Sequence, residues 1–167
     1  VVGNIFANNT TNDIAPVVIN NDGLISNVIT NVNLLIKATK SDIKVSGFVA
    51  KNLGTISNSI AVGSIEVYEN NYNVNSVNNL FGNLSGFVVD NNDTLVNNVS
   101  AVTLPEKYLK SGNDIYNNSF AGITGTKVNN FVDMFANGNF LDSENNKGQV
   151  EFVATENLYD YLKDANQ

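Results

Sequence analysis

Residues 46–63 read SGFVAKNLGTISNSIAVG, and residues 85–102 read SGFVVDNNDTLVNNVSAV. Both open on Ser-Gly-Phe-Val, pass through a polar turn into a short apolar run, and then place an Asn at the same position, Asn58 and Asn97. Two more stretches align on them without gaps: APVVINNDGLISNVITNV from Ala15 and NNSFAGITGTKVNNFVDM from Asn117. The units therefore start near 15, 46, 85 and 117, at steps of 31, 39 and 32 residues. Self-similarity at a period of 20–50 residues marks a repeat architecture, in which one unit cannot bury its own apolar face and must stack on the next.

Within each unit the pattern is strand, turn, strand. Val17–Ile19 aligns with Phe48–Ala50, Phe87–Val89 and Ser119–Ala121. The turns NNDG, KNLG, DNND and ITG follow, then the runs Leu24–Ile25, Thr55–Ile56, Thr94–Leu95 and Lys127–Val128. Every copy next carries an Asn, at Asn27, Asn58, Asn97 and Asn129, and two residues later an apolar side chain at Ile29, Ile60, Val99 or Phe131. No 3.6-residue period runs through the units. Short β-branched runs punctuated by Asn, Asp and Gly predict strands and turns, hence an all-β solenoid of about four coils. Stacked coils lie about 4.8 Å apart. The spacing predicts that the four-Asn column forms a structural ladder of side-chain amides, since stacked Asn can hydrogen-bond from layer to layer.

The totals bound the function. Asn supplies 33 of the 167 residues, enough that turns and left-handed backbone are expected throughout. The net charge is −7 and there is no Arg, so no cluster of cations is present to displace counterions from a phosphate backbone. Neither a nucleic-acid partner nor an anionic membrane surface is expected. There is no Cys, which rules out disulfides and Cys-based metal sites. No apolar run is long enough for a membrane-spanning helix, so no membrane insertion is expected. The start VVGNIF has no Met and no basic leader, and reads as a cut inside a larger protein, with flanking domains as partners.

The stretch 46–67 resembles the GLUG motif through Gly47, Phe48, Val49, Asn52, Gly54, Thr55, Ile56, Asn58 and Ser59. NNLFGNLSGFV, residues 78–88, adds the Leu-Phe-Gly element that precedes such units. The resemblance covers about residues 46–104 and departs from the pattern where Ala50 and Val89 replace a Gly. It implies a right-handed parallel β-helix in a large bacterial protein, extracellular or at the cell surface. Such segments occur in adhesins and in the non-catalytic arm of IgA1-specific metalloproteases of Gram-positive bacteria. The implied role is a scaffold and interaction surface. Its partners would be a host glycoprotein, an immunoglobulin or the extracellular matrix.

Three segments leave the repeat: 68–79, 105–116 and 137–148. Loops projecting from a solenoid commonly bind partners, and Tyr68, Tyr72, Tyr108 and Tyr116 lie in the first two. The same Tyr side chains could instead cover the core edge beneath their loops. The repeat is expected over 1–150 and a cap or junction over 151–167. In that tail VEFV can add a strand, and Thr155 can cap a short helix from about Glu156 to Ala165.

No catalytic site is expected in the chain itself. It has no His, which removes Ser-His-Asp catalysis, His-zinc sites and the HExxH metalloprotease motif. β-Helix lyases and glycosidases need paired carboxylates, or Asp with a cationic base. Asp90, Asp93, Asp133 and Lys127 are the candidates, and a solvated turn explains Asp90 and Asp93 more simply. DSENNKG, 142–148, has alternating oxygen side chains but Lys147 where a calcium loop needs Gly. No metal and no cofactor are expected. A non-catalytic adhesin-like module comes first, the accessory arm of an IgA1-type metalloprotease second, and a carbohydrate-active β-helix enzyme last.

Overall fold

The computed structural model describes residues 1–38, 43–67, 84–105, 121, 124–133 and 150–153. The described residues are all-β, with no helix among them. One strand, β1 (Val2–Thr10), precedes the first repeat unit. That unit supplies β2 (Val18–Asn21), β3 (Leu24–Ser26) and β4 (Ile29–Ala38). The second supplies β5 (Val45–Ser46), β6 (Val49–Asn52), β7 (Thr55–Ser57) and β8 (Ile60–Val67). The third supplies β9 (Leu84–Ser85), β10 (Val88–Asn91), β11 (Thr94–Val96) and β12 (Val99–Thr103). After these come β13 (Thr126–Val128), β14 (Asn130–Asp133) and β15 (Val150–Val153).

Each strand pairs in parallel with its counterpart in the neighbouring unit. One sheet runs β1-β4-β8-β12-β14-β15, a second β13-β11-β7-β3, a third β10-β6-β2, and β5 pairs with β9. Leu24 faces Thr55, Thr55 faces Thr94, and Thr94 faces Thr126. Ile29, Ile60, Val99 and Phe131 follow one another in the same way. The pairing offsets are thus the steps of the sequence repeat, and the arrangement is compatible with a β-solenoid.

The gapless alignment fails at one place. It puts Phe120 on Val88, whereas Val88 bridges to Ala121. Thr126 is back in register with Thr94, so the last turn is one residue shorter than its counterpart. Gly125 accommodates the shortening: its φ is +75°, and a Cβ there would collide with the Asn91 side-chain amide and the Asp93 carbonyl.

Strand alternation builds the core. In β4, Val32, Leu34 and Ile36 point inward while Asn31 and Asn33 are exposed. Phe48 and Phe87, one unit apart, stack with ring centroids 4.5 Å apart and 11° between planes. Around them Val45, Val49, Ile56, Ile65, Leu84 and Leu95 are fully buried. The segment VEFV is a strand, pairing Asn130 with Val150 and Asp133 with Val153, and it straddles the expected junction at 150/151. The helix expected after Thr155 lies outside the described residues.

Candidate functional site

The four-Asn column is defined by its backbone. Asn27, Asn58, Asn97 and Asn129 have φ of 58°, 49°, 54° and 51°, the left-handed region. Asn tolerates that region better than other residues with a side chain. These residues turn the chain from β3 to β4, from β7 to β8, from β11 to β12 and from β13 to β14. The backbone N–H groups of Asn27, Asn58 and Asn97 donate to the carbonyls of Ser57, Val96 and Val128 in the next unit. Between the side chains, one amide link is present, Asn97 Nδ2 to Asn58 Oδ1 at 3.3 Å. Asn27 and Asn129 are exposed.

A buried amide ladder runs elsewhere, at the ends of β2, β6 and β10. Asn21 Nδ2 donates to Asn52 Oδ1 at 2.8 Å, and Asn52 Nδ2 to Asn91 Oδ1 at 2.9 Å. Each Asn also folds onto its own turn. Asn21 Oδ1 accepts from the Gly23 N–H, and Nδ2 donates to the Gly23 carbonyl. Asn52 does the same with Gly54. Asn91 donates to the Asp93 carbonyl and to the Thr124 carbonyl, and the Thr124 hydroxyl donates back to the Asn91 carbonyl. Thr124 therefore ends the ladder. Gly54 is required by the stacking, because a Cβ there would run into the Gly23 backbone.

A third polar column follows each corner Asn. Its members are Val28, Ser59, Asn98 and Asn130, and the last three are fully buried. The side chains of Ser59, Asn98 and Asn130 each receive the backbone N–H of the unit before. Val28 donates to Ser59 Oγ at 3.2 Å, Ser59 to Asn98 Oδ1 at 3.0 Å, and Asn98 to Asn130 Oδ1 at 3.0 Å. Asn98 Nδ2 donates in turn to the Ile56 carbonyl, and Asn130 Nδ2 to the Leu95 carbonyl. A buried carboxamide with both ends satisfied joins neighbouring units without the penalty of an unpaired polar group.

The ionisable candidates do not converge. Asp90 pairs with Lys44 at 3.6 Å between partly exposed side chains, a contact worth about 0–1 kcal/mol. Asp93 is exposed and accepts from the Thr94 hydroxyl at 2.9 Å. Asp133 lies in β14, and its side chain is outside the described residues. Lys127 occupies an inward position, in the column of Ile25, Ile56 and Leu95. It is only 6% exposed, and its Nζ has no hydrogen-bond partner. Burial strips its ammonium of water and pushes its pKa below the ordinary 10.5. Among the described residues no three His, Cys, Asp or Glu side chains group as they would around a metal ion. Tyr68, Tyr72, Tyr108 and Tyr116 lie outside the described residues, as does the 142–148 loop.

Sequence reasoning named Asn52 in the motif but passed over the column of Asn21, Asn52 and Asn91, although a signal was present: each stands two residues before Gly23, Gly54 or Asp93, the spacing of an Asx turn. Compared with protein-family models, curated proteins and solved structures, the chain matches none.

Proposed function

We propose that this chain is a right-handed parallel β-helix of about four coils, acting as the non-catalytic scaffold and interaction module of a bacterial surface or secreted protein. One observation carries the scaffold reading: the inward Asn side chains and Ser59 are spent on unit-to-unit hydrogen bonds, whereas Ser100 Oγ and Lys127 Nζ are buried without a partner. Asn21, Asn52, Asn91, Ser59, Asn98 and Asn130 all bond into a neighbouring unit. Groups so used hold coils together and are withdrawn from binding or chemistry. A right-handed crossover is the strongly favoured hand for parallel strands joined in this way. The carboxylates favour the same reading, since Asp90 is paired with Lys44 and Asp93 is solvated.

The recognition surface in this reading is the pair of segments carrying Tyr68, Tyr72, Tyr108 and Tyr116, facing a host glycoprotein, an immunoglobulin or matrix. The test is to immobilise the chain and titrate a panel of those three ligand types. Saturable binding to one of them is expected. It should weaken at least about tenfold when the four Tyr are changed to Ala, with an unchanged melting temperature. Binding confined to immunoglobulin would select the accessory arm of an IgA1-type metalloprotease. No binding, together with depolymerisation of an acidic polysaccharide that Asp93→Ala abolishes, would replace the scaffold reading with an enzyme.

A further inference from the structure

The two sides of the first unit are unlike. On one side β2 and β3 pair with β6 and β7. On the other, β1 covers only β4, and nothing among the described residues covers β2 or β3. The burial of the core records this. Val17, Val18, Ile25 and Val28 are only partly buried, whereas their counterparts Phe48, Val49, Ile56 and Ser59 are completely buried. Leu24 and Ile29, in the same unit, are 70% and 61% exposed.

The amide ladder is also left open there. Asn52 Oδ1 accepts two hydrogen bonds, from the Gly54 N–H and from Asn21 Nδ2. Asn21 Oδ1 accepts only from the Gly23 N–H. The ladder has a direction: Nδ2 of Asn21, Asn52 and Asn91 each donates to the later unit, to Asn52, Asn91 and Thr124 in turn. The first unit therefore shows an acceptor on its open side and needs a donor there.

That requirement discriminates between occupants. Two copies meeting by their first units would set acceptor against acceptor. The far end of another copy would offer Thr124 in place of an Asn donor, with the uncompensated Lys127 beside it. A strand-turn-strand segment with the repeat's own pattern supplies everything missing. It brings an apolar residue over Val18, an Asn whose Nδ2 reaches Asn21 Oδ1, and an apolar residue over Ile25.

We infer that the open side of β2 and β3 is a stacking site for such a segment, entering from the N-terminal side of Val1 and lying level with β1. The inference rests on the coil reading proposed above. The geometry of the entry is set by β1. Val2 faces Asn31, and Asn31 faces Val62, so Val1 corresponds to Ala61. A segment equivalent to residues 46–60 would therefore join directly to Val1 and run into β1 in register.

The experiment fuses a copy of residues 46–60 ahead of Val1 and compares amide hydrogen exchange and melting with the unfused chain. Two control fusions carry the same residues in scrambled order, or Leu in place of the copied Asn52. The ordered fusion should slow exchange at residues 18–25 by about tenfold or more and raise Tm by several degrees, and both controls should lose most of that gain. Equal gains from the scrambled segment, or no added protection, would overturn the inference. So would concentration-dependent protection of residues 18–25 in the unfused chain together with a dimer in sedimentation, which would make the occupant a second copy. Free exchange at residues 49–57 in the unfused chain would instead overturn the coil reading itself.

Discussion

Two columns of asparagine run through the units, and they do different work with the same side chain. At Asn21, Asn52 and Asn91 the carboxamide faces inward and bonds across units, at both ends in Asn52 and Asn91 and through Nδ2 alone in Asn21. At Asn27, Asn58, Asn97 and Asn129 the residue holds a left-handed corner, and at the first three its backbone N–H donates across units. In the first column the amide is what matters. In the second it is the tolerance of an L-residue for positive φ. Composition alone cannot separate the two roles, because Asn is well suited to both.

Substitutions can break this contrast. The largest effect is expected at Asn52→Leu, which removes the middle of the inward ladder and leaves Asn21 Nδ2 without its Oδ1 partner and Asn91 Oδ1 without its donor. Asn91 Oδ1 and the Gly54 N–H and carbonyl then lose these partners, which should cost about 3 kcal/mol in a urea titration. Asn52→Gly should be no better, since glycine restores no hydrogen bond. Next comes Asn98→Ala, which strands the Ser59 N–H and the Ile56 carbonyl and should cost about 2 kcal/mol. A loss under half of that would mean that water replaces the amide.

Lys127 tests the inward face with the opposite sign. Lys127→Leu removes a buried, unpartnered cation from an aliphatic column and should stabilise by about 1.5 kcal/mol near pH 7. The pH dependence follows from the lowered pKa. Between the lowered folded value and the ordinary 10.5, the unfolded chain binds more protons, so stability rises with pH across that window and is lower below it. Unfolding titrations across that window should show the rise in the parent chain and a flat line in Lys127→Leu. A rise in both would assign it to another group.

The smallest effects belong to the corner. Asn58→Ala should cost about 1 kcal/mol, because alanine is forced to positive φ, whereas Asn58→Gly should lie within a few tenths of the parent. The comparison of Gly with Ala at position 58, set beside the same pair at position 52, separates backbone from side chain directly. If glycine fails at 58 as alanine does, the 3.3 Å amide link to Asn97 matters more than the corner.

The strand register was legible because it depends on the spacing of apolar residues. The steps from Ile29 to Ile60, Val99 and Phe131 are both the sequence repeat and the pairing register. The four-Asn column was conspicuous because it is unbroken. The ladder through Asn21, Asn52 and Asn91 was harder to see, since a shortened turn shifts the fourth unit and puts Thr124 at the end of the column. The column through Ser59, Asn98 and Asn130 starts on Val28 and mixes three residue types, so its common task, accepting a neighbour's N–H, leaves no signature in residue identity. Lys127 was visible as a break in an apolar column, but the structure was needed to show that it stays inside.

The unequal repeat lengths have a geometric consequence. Ile36 faces Val67 and Val45 faces Leu84, so the longer second step is absorbed entirely between Val67 and Leu84, and the strands on either side keep their register. Residues added there do not lengthen the stack, whereas each added unit advances it by one strand spacing, about 4.8 Å. The length of the stack is thus graduated in units and not in residues. The distance from the first layer to the last follows the number of layers, and the eight extra residues of the second step leave the register of the strands on either side unchanged.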